Sequence, residues 1–164
     1  MIKKKIMFVR HAKSSWKHNV SDMDRPLKQR GRDDASIISQ EFKKLKTSID
    51  FIYSSPANRA LSTCKIFQKY LGFPESMLNI TENLYDFSGE RALEFIRSID
   101  NELNTVMLFG HNYAFTSLIN ILGDRIIDNL PTSGLVIIDF NVTSWEHVKF
   151  GQTKTIMFPK DYRL

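Results

Sequence analysis

The most constraining feature of this sequence is a repeated alternation between short apolar runs and longer amphipathic segments. The runs have the length of β-strands, and three of them are rich in β-branched or aromatic residues, as buried strands are. The segments between them space their apolar residues as helices do. The predicted strands are residues 6–9, 51–54, 106–109 and 134–140, and the predicted helices lie within residues 29–46, 57–74, 89–103 and 114–124.

This alternation predicts the fold class. Strands that alternate with helices build an α/β protein, so we expect a three-layer α/β/α sandwich around a mostly parallel central sheet. The C-terminal part differs, because residues 135–141 and 145–152 flank a turn at residues 141–144 and predict a hairpin at the edge of the sheet. The sequence contains no linker, repeat or low-complexity segment, so residues 1–164 are expected to form a single domain.

The apolar runs and the cysteine count indicate the cellular compartment. No stretch approaches the roughly 20 apolar residues of a membrane-spanning helix, so we expect no membrane association. The basic N-terminus is followed by an apolar run of only four residues, at positions 6–9, which does not predict a signal peptide. The one cysteine, Cys64, cannot form an intramolecular disulfide. These observations favour a cytoplasmic protein.

The charge of the chain raises the question of nucleic-acid binding. The formal net charge is +5 and the calculated isoelectric point is about 9.3. Basic residues are grouped at positions 3–5, 28–32 and 42–46, but they are mixed with acids and lack the interleaved aromatic residues of single-strand binders. Nucleic acid is therefore not an expected partner, and a cationic surface that attracts anionic substrates explains the charge.

Basic and imidazole side chains follow three of the predicted strands. Arg10 and His11 come directly after the first strand, Arg59 follows the second, and His111 follows the third of the four runs. The carboxyl ends of parallel strands share one edge of an open α/β sheet, where ligands bind. We therefore expect these four side chains to converge on one site.

The charge of this cluster indicates its ligand. Two guanidinium groups offer planar, forked donors suited to the oxygens of a phosphoryl or sulfate group. A divalent cation would be repelled by them, and no carboxylate or cysteine lies at ligand spacing from His11 or His111. No metal and no cofactor are therefore expected. His18 and His147 lack such a setting and are predicted to be surface or packing residues.

Four ordered motifs carry a resemblance to a known family. They are VRHAKSSW at residues 9–16, DRPLKQRG at 24–31, SSPANRALST at 54–63 and FGHN at 109–112. Together they resemble the histidine phosphatase superfamily, whose fold is that of phosphoglycerate mutase. The spelling of the first two motifs is similar to that of the SixA-type phosphohistidine phosphatases.

This resemblance implies roles for the four clustered residues. His11 would be the nucleophile that accepts the phosphoryl group. Arg10 and Arg59 would clamp the oxygens of that group, and His111 would hold a further oxygen in the transition state. The chemistry is consistent with these roles, because a neutral imidazole is a competent nucleophile and fixed cations stabilise the charge of a transferring phosphoryl group.

Two more residues in the motifs are candidate phosphate-binding residues. Arg25 matches a position that lies close to the phosphate in SixA-type proteins, although a salt bridge at the start of the helix after Pro26 explains it equally well. Ser14 could donate a hydrogen bond from the loop after His11.

The general acid is less clearly specified. In many superfamily members a glutamate after the third strand protonates the leaving group. The best-matching residue here is Asp86, with Glu82 as the alternative. Asp86 is one carbon shorter than glutamate. A phosphohistidine substrate lessens the need for an acid, because a protonated imidazole leaves readily. The donor is thus Asp86, Glu82 or neither.

Three functions are compatible with these residues. The first is a metal-independent phosphohistidine protein phosphatase acting through a covalent phosphohistidine, with a phosphorylated protein as partner. The second is a small-molecule phosphomonoesterase of the same superfamily. The third is a phosphate-binding or phosphoprotein-binding module without turnover, which would have no need of two histidines. A monomer is favoured.

Overall fold

The central element of the fold is a six-stranded sheet. The computed structural model describes residues 3–164, and its strands run in the order β3-β2-β4-β1-β5-β6. The strands are β1 (Lys4–Arg10), β2 (Phe51–Ser54), β3 (Leu78–Ile80), β4 (Thr105–Gly110), β5 (Leu135–Phe140) and β6 (Gln152–Met157).

The strands β1 to β4 are mutually parallel. β4 lies between β2 and β1 and pairs in parallel with both, and β3 extends this parallel part at the edge. β5 is antiparallel to β1 and to β6. The sheet is therefore mixed but mostly parallel, as the alternating sequence predicts, and β1 and β4 are buried at its centre because both of their faces are covered.

Two helices cover each face of the sheet. The helices are α1 (Gln29–Lys43), α2 (Asn58–Leu71), α3 (Glu90–Arg97) and α4 (Ala114–Leu122). Alternate residues of β1 point to opposite faces, so Met7 packs with Phe42 of α1 and Phe67 of α2 in one core, and Phe8 packs with Phe115 of α4 in the other. The expected three-layer sandwich is confirmed. No helix of residues 3–164 is long and apolar enough to cross a bilayer.

The C-terminal hairpin forms, but its second strand lies further along the chain than the sequence predicts. The expected strand at residues 145–152 is wrong, because residues 145–147 form a turn of 3-10 helix and β6 begins at Gln152. The Trp145 ring is fully buried and its Nε1–H donates to the carbonyl oxygen of Leu103. Trp145 and Val148 are both buried, and this three-residue spacing fits a helical turn better than an alternating strand.

Candidate active site

The structure brings the four predicted residues to one edge of the sheet. Arg10 is the last residue of β1 and His11 follows it, while His111 directly follows the neighbouring β4. Arg59 lies in the first turn of α2, just after β2 on the other side of β4. The His11 and His111 rings are 5.3 Å apart between centroids. A cleft of about 550 Å³ lies here, lined by Arg10, His11, Lys13, Ser14, Trp16, Asp22, Arg25, Lys28, Arg59, Phe87 and Thr132.

His11 is held in the form that a nucleophile requires. Its Nδ1–H donates to the carbonyl oxygen of Ala12 at 2.7 Å, which leaves the lone pair on Nε2 free. Burial lowers the pKa of His11 to about 3; the bond to Ala12 opposes this shift, and the charges of His111, Arg10 and Arg59 reinforce it. The imidazole is therefore neutral at physiological pH.

The two arginines are anchored by their terminal nitrogens. Arg10 Nη1 donates to the carbonyl oxygen of Leu130 at 2.9 Å, and Arg59 donates through Nη1 to the main-chain oxygen of Asp22 at 2.7 Å and through Nη2 to its Oδ2 at 2.9 Å. The Nε atoms of both arginines are buried and have no partner among residues 3–164. Two like charges with unpaired buried donors indicate an anion-binding site.

His111 supplies a further donor. Its Nε2 lies 2.8 Å from the Ser55 hydroxyl, which also accepts from the Ala57 amide at 3.2 Å, and we assign the serine proton to the bond with Nε2. Nδ1 then carries the imidazole proton, and it is buried without a partner in the described chain. Burial, followed by the charge of Arg59, lowers the pKa of His111 to about 3, so the ring is a neutral donor in the free site.

Arg25 and Ser14 also line the cleft, in contact with each other. Arg25 Nη2 donates to Ser14 Oγ at 2.6 Å, and the guanidinium lies 3.2 Å from the centroid of the exposed Trp16 ring. Arg25 also makes a longer ion pair with Asp22, at 3.4 Å. Arg25 thus forms the local salt bridge and also lines the cleft, where phosphate binding by its guanidinium stays a prediction.

The structure argues against Asp86 as the proton donor. Its Oδ2 accepts from the amides of Gly89 and Ala92 at 3.0 Å each, and its Oδ1 accepts from the amide and hydroxyl of Ser88, so the carboxylate caps α3. Burial raises the pKa of Asp86, but these hydrogen bonds outweigh it, and the net pKa is below the ordinary value. An ionised capping carboxylate is a poor acid, and neither Asp86 nor the exposed Glu82 lines the cleft.

Sequence reasoning missed Asp22 and the residues that orient His111. Asp22 Oδ2 accepts from the Tyr85 hydroxyl at 2.6 Å as well as from Arg59. Burial raises the pKa of Asp22, but bonds from Tyr85 and Arg59 outweigh this and lower it to about 2. The rings of Tyr85 and Phe87 contact that of His111, with centroids 5.4 and 5.0 Å away. The only signal for Asp22 is its position three residues before Arg25.

Residues 3–164 contain no group of three His, Cys, Asp or Glu side chains that could hold a metal ion. The polar groups of the cleft are instead predominantly cationic donors, with Asp22 as the one acid that lines it. This donor set fits a bound oxyanion.

Several known proteins are similar to this chain in sequence or in fold. An uncharacterized chloroplastic protein of Arabidopsis thaliana is 29% identical, over 88% of this chain and 70% of its own length. The structure of the protein histidine phosphatase SixA complexed with tungstate superposes with a TM-score of 0.83 and 20% identity, covering 97% of this chain and 99% of that one. A candidate SixA of Agrobacterium tumefaciens gives a TM-score of 0.80 at 24% identity, covering 96% and 99%.

A mycobacterial glucosyl-3-phosphoglycerate phosphatase shares the same fold more distantly, with a TM-score of 0.66 and 12% identity over 93% of this chain and 97% of that one. At these identities the structural matches establish the phosphoglycerate mutase-like fold. The sequence itself matches the family model described as histidine phosphatase superfamily (branch 1) over residues 6–90, more than half of the chain. The chain therefore belongs to the histidine phosphatase superfamily.

Proposed function

We propose that this protein is a phosphohistidine protein phosphatase that works without a metal ion through a covalent phosphoryl group on His11. One observation carries the proposal: the neutral His11 imidazole, with Nε2 free, lines the same cleft as two guanidiniums that each retain an unpaired Nε–H. The unpaired Nδ1–H of His111 adds a third donor. This arrangement supports nucleophilic attack on a phosphoryl group held by fixed donors.

In the first step the phosphoryl oxygens accept hydrogen bonds from Arg10, Arg59 and His111. The Nε2 lone pair of His11 attacks phosphorus, the substrate P–N bond breaks, and its electron pair stays on the leaving nitrogen. His11 now carries phosphorus on Nε2 and a proton on Nδ1, so its ring is cationic. The carbonyl oxygen of Ala12, which accepts from Nδ1–H, stabilises that cation.

In the second step a water molecule attacks the same phosphorus. The new P–O bond forms as the P–Nε2 bond breaks, and the electron pair returns to His11 as neutral imidazole. The proton lost by water passes to the phosphate product or to solvent. Arg10 and Arg59 meet the charge on the equatorial oxygens in both steps without rearranging, because each is anchored by protein oxygens.

The fate of the leaving group supports a phosphohistidine substrate. An imidazole protonated on its far nitrogen leaves phosphorus as a neutral molecule, whereas an alkoxide needs a positioned acid. The carboxylate expected to supply that acid, Asp86, is engaged by the N-terminus of α3. The cleft therefore suits P–N bonds better than P–O bonds.

Two short connections beside the cleft support a protein substrate. Only residues 55–57 join β2 to α2, and only residues 111–113 join β4 to α4. Neither connection is long enough to fold over the site. The Trp16 side chain at the cleft is 76% exposed, so a phosphorylated loop of another protein could reach His11.

A small-molecule phosphomonoesterase is the second candidate. It is favoured by the shared fold of the mycobacterial glucosyl-3-phosphoglycerate phosphatase. A non-catalytic binding module is the third, and any turnover that depends on His11 excludes it.

A comparison of substrates at equal concentration separates these functions. We expect kcat/KM for a phosphohistidine peptide to exceed those for phosphoserine and phosphotyrosine peptides and for a sugar phosphate by at least about 100-fold, since only P–O cleavage lacks its acid. A chelator should leave all rates unchanged. Faster hydrolysis of the sugar phosphate would establish the second candidate, and a chelator-sensitive rate restored by zinc or magnesium would overturn metal independence.

A further inference from the structure

A second depression continues the active-site cleft along the start of α1. It has a volume of about 320 Å³ and is lined by Ser15, Lys17, His18, Leu27, Lys28, Gln29 and Arg32. Lys28 lines both this depression and the cleft that contains His11. We call the depression the basic extension. A phosphorylated group bound at His11 would therefore have its neighbouring chain close to this surface.

The walls of the basic extension are fixed relative to His11. The Ser15 amide donates to the carbonyl oxygen of Pro26 at 2.8 Å, and the Lys28 amide donates to that of Lys13 at 2.9 Å. A Cβ on Gly31 would overlap the main chain of Lys13, so only glycine allows α1 to lie this close to the loop after His11. The surface is thus preformed, which limits the entropy lost when a ligand binds.

The cations of this region have no acidic partners. Lys13, Lys17, Lys28 and Arg32 are exposed or half-buried, and none of them forms a salt bridge within 4.0 Å in residues 3–164. Arg32 donates only to neutral oxygens, those of Leu27 and Gln29. Four cations without acidic partners, distributed over the cleft and the basic extension, raise the local concentration of anionic ligands.

Two of these cations, Lys28 and Arg32, lie at the start of α1, where positive charge is unfavourable for the helix itself. The N-terminus of a helix carries a partial positive charge and is stabilised by Asp or Glu, yet the first turn of α1 has no acidic residue and Lys28 precedes it without a side-chain cap. Arg30 and Arg32 add further positive charge there. Positively charged residues that destabilise the start of a helix are expected where that surface binds a ligand.

We propose that the basic extension binds an acidic segment next to the phosphorylated histidine of the protein substrate. This inference rests on the proposed function and specifies its partner. The phosphoryl group is matched by Arg10, Arg59 and His111, so the unpaired cations beyond it are available to carboxylates of the flanking chain. The preformed cleft and its charge favour an extended, Glu-rich or Asp-rich stretch, and electrostatic attraction would raise its association rate.

The test uses two phosphohistidine peptides that differ only in having Glu or Gln beside the phosphohistidine. For the wild-type protein we expect kcat/KM to be about tenfold higher for the Glu peptide at low salt. The difference should vanish near about 0.5 M salt, because that ionic strength screens interactions between exposed charges. In the double variant Lys17→Glu, Arg32→Glu the two peptides should become equal, with the Gln peptide unaffected. Both substituted residues line the basic extension and not the catalytic cleft.

The matched control is Lys69→Glu, an exposed residue near the C-terminal end of α2 and about 15 Å along that helix from Arg59. It should leave the preference for the Glu peptide intact. Equal rates for the two peptides with the wild-type protein would overturn the proposal, as would an equal loss of preference in the control. Stronger inhibition by an oligouridylate than by the unphosphorylated Glu peptide would assign the surface to nucleic acid instead.

The proposed function can fail separately. If p-nitrophenyl phosphate is hydrolysed but neither phosphohistidine peptide is, the proposed function is wrong. The basic extension is then tested by inhibition of p-nitrophenyl phosphate hydrolysis by the unphosphorylated Glu peptide. Inhibition that the Gln peptide does not match, and that the double variant abolishes, would support the acidic ligand, and its absence would overturn it.

Discussion

Replacing Asp86 by asparagine separates a helix-capping role from an acid-catalytic one. The Asp86 carboxylate accepts four hydrogen bonds at the start of α3, two of them from the Gly89 and Ala92 amides at 3.0 Å. An asparagine keeps one oxygen, and its NH2 group would face donors in place of the other. Losing bonds to a charged cap costs about 2 kcal/mol, which lowers the Tm of a domain of this size by roughly 4–8 °C.

The activity of the Asp86→Asn variant should change little at room temperature, where the protein remains folded. We expect kcat to stay within about twofold for phosphohistidine and phosphomonoester substrates alike, because the carboxylate does not line the cleft. Thermal unfolding followed by circular dichroism gives the Tm, and steady-state kinetics give kcat. Glu82→Gln, at the exposed alternative position, is the matched control and should change neither.

The pH dependence of the same Tm difference provides a second check. The native pKa of Asp86 is lowered, so its stabilisation is complete above the unfolded pKa of about 4 and is lost as the pH falls through the native value. The two proteins should therefore approach the same Tm in acid. An unchanged Tm at neutral pH, with phosphomonoester hydrolysis alone lost, would refute the capping argument and restore Asp86 as the acid.

Three further predictions concern the cleft. Removing the hydroxyl in Ser55→Ala leaves Nε2 of His111 and the Ala57 amide unpaired, and the His111 proton is then free to change nitrogen. We expect kcat to fall about tenfold on every substrate, and the unpaired buried groups to lower the Tm by several degrees. Because the pKa values of His11 and His111 are about 3, kcat/KM should be independent of pH between about pH 5 and 8 after correction for titration of the substrate. A loss of activity with a midpoint near pH 6.5 would instead indicate that the nucleophile becomes protonated there. The protein should also unfold more easily below pH 6.5, because the unfolded chain then binds protons that these buried rings exclude. Gly31→Ala should displace the Lys13 loop, lower the free energy of unfolding by about 2 kcal/mol in a denaturant titration, and reduce the stabilisation that added phosphate gives in the same titration. An unchanged free energy of unfolding would contradict the close approach of α1 to this loop.

The convergence of the main site residues could be predicted because it depends on strand ends alone. Arg10 ends β1, His11 follows it and His111 follows β4. Parallel neighbouring strands bring such residues to one edge of the sheet whatever the details of packing. Arg59 could be placed for the same reason. The four strongest predictions about the site thus rested on topology, which the alternation of short apolar runs and helical segments specifies.

The residues that orient these groups could not be predicted in this way. Asp22 reaches Arg59 across 37 positions of sequence, and Tyr85 reaches Asp22 across 63, through loops whose paths no local pattern specifies. Asp86 matches a family position by sequence, but its carboxylate accepts hydrogen bonds from main-chain amides at the start of α3. Trp145 was placed on a strand because it follows the turn predicted at residues 141–144, whereas its buried ring lies in a turn of 3-10 helix.

The most direct test of the central claim is the chemistry of the trapped intermediate. After brief incubation with phosphoramidate and rapid quenching in base, mass spectrometry and phosphorus NMR should find one acid-labile phosphoryl group on Nε2 of His11, because Nδ1 is committed to the Ala12 carbonyl oxygen. The group should be absent from His11→Ala, together with all turnover. Undiminished turnover in His11→Ala, or phosphorylation on Nδ1, would contradict the mechanism.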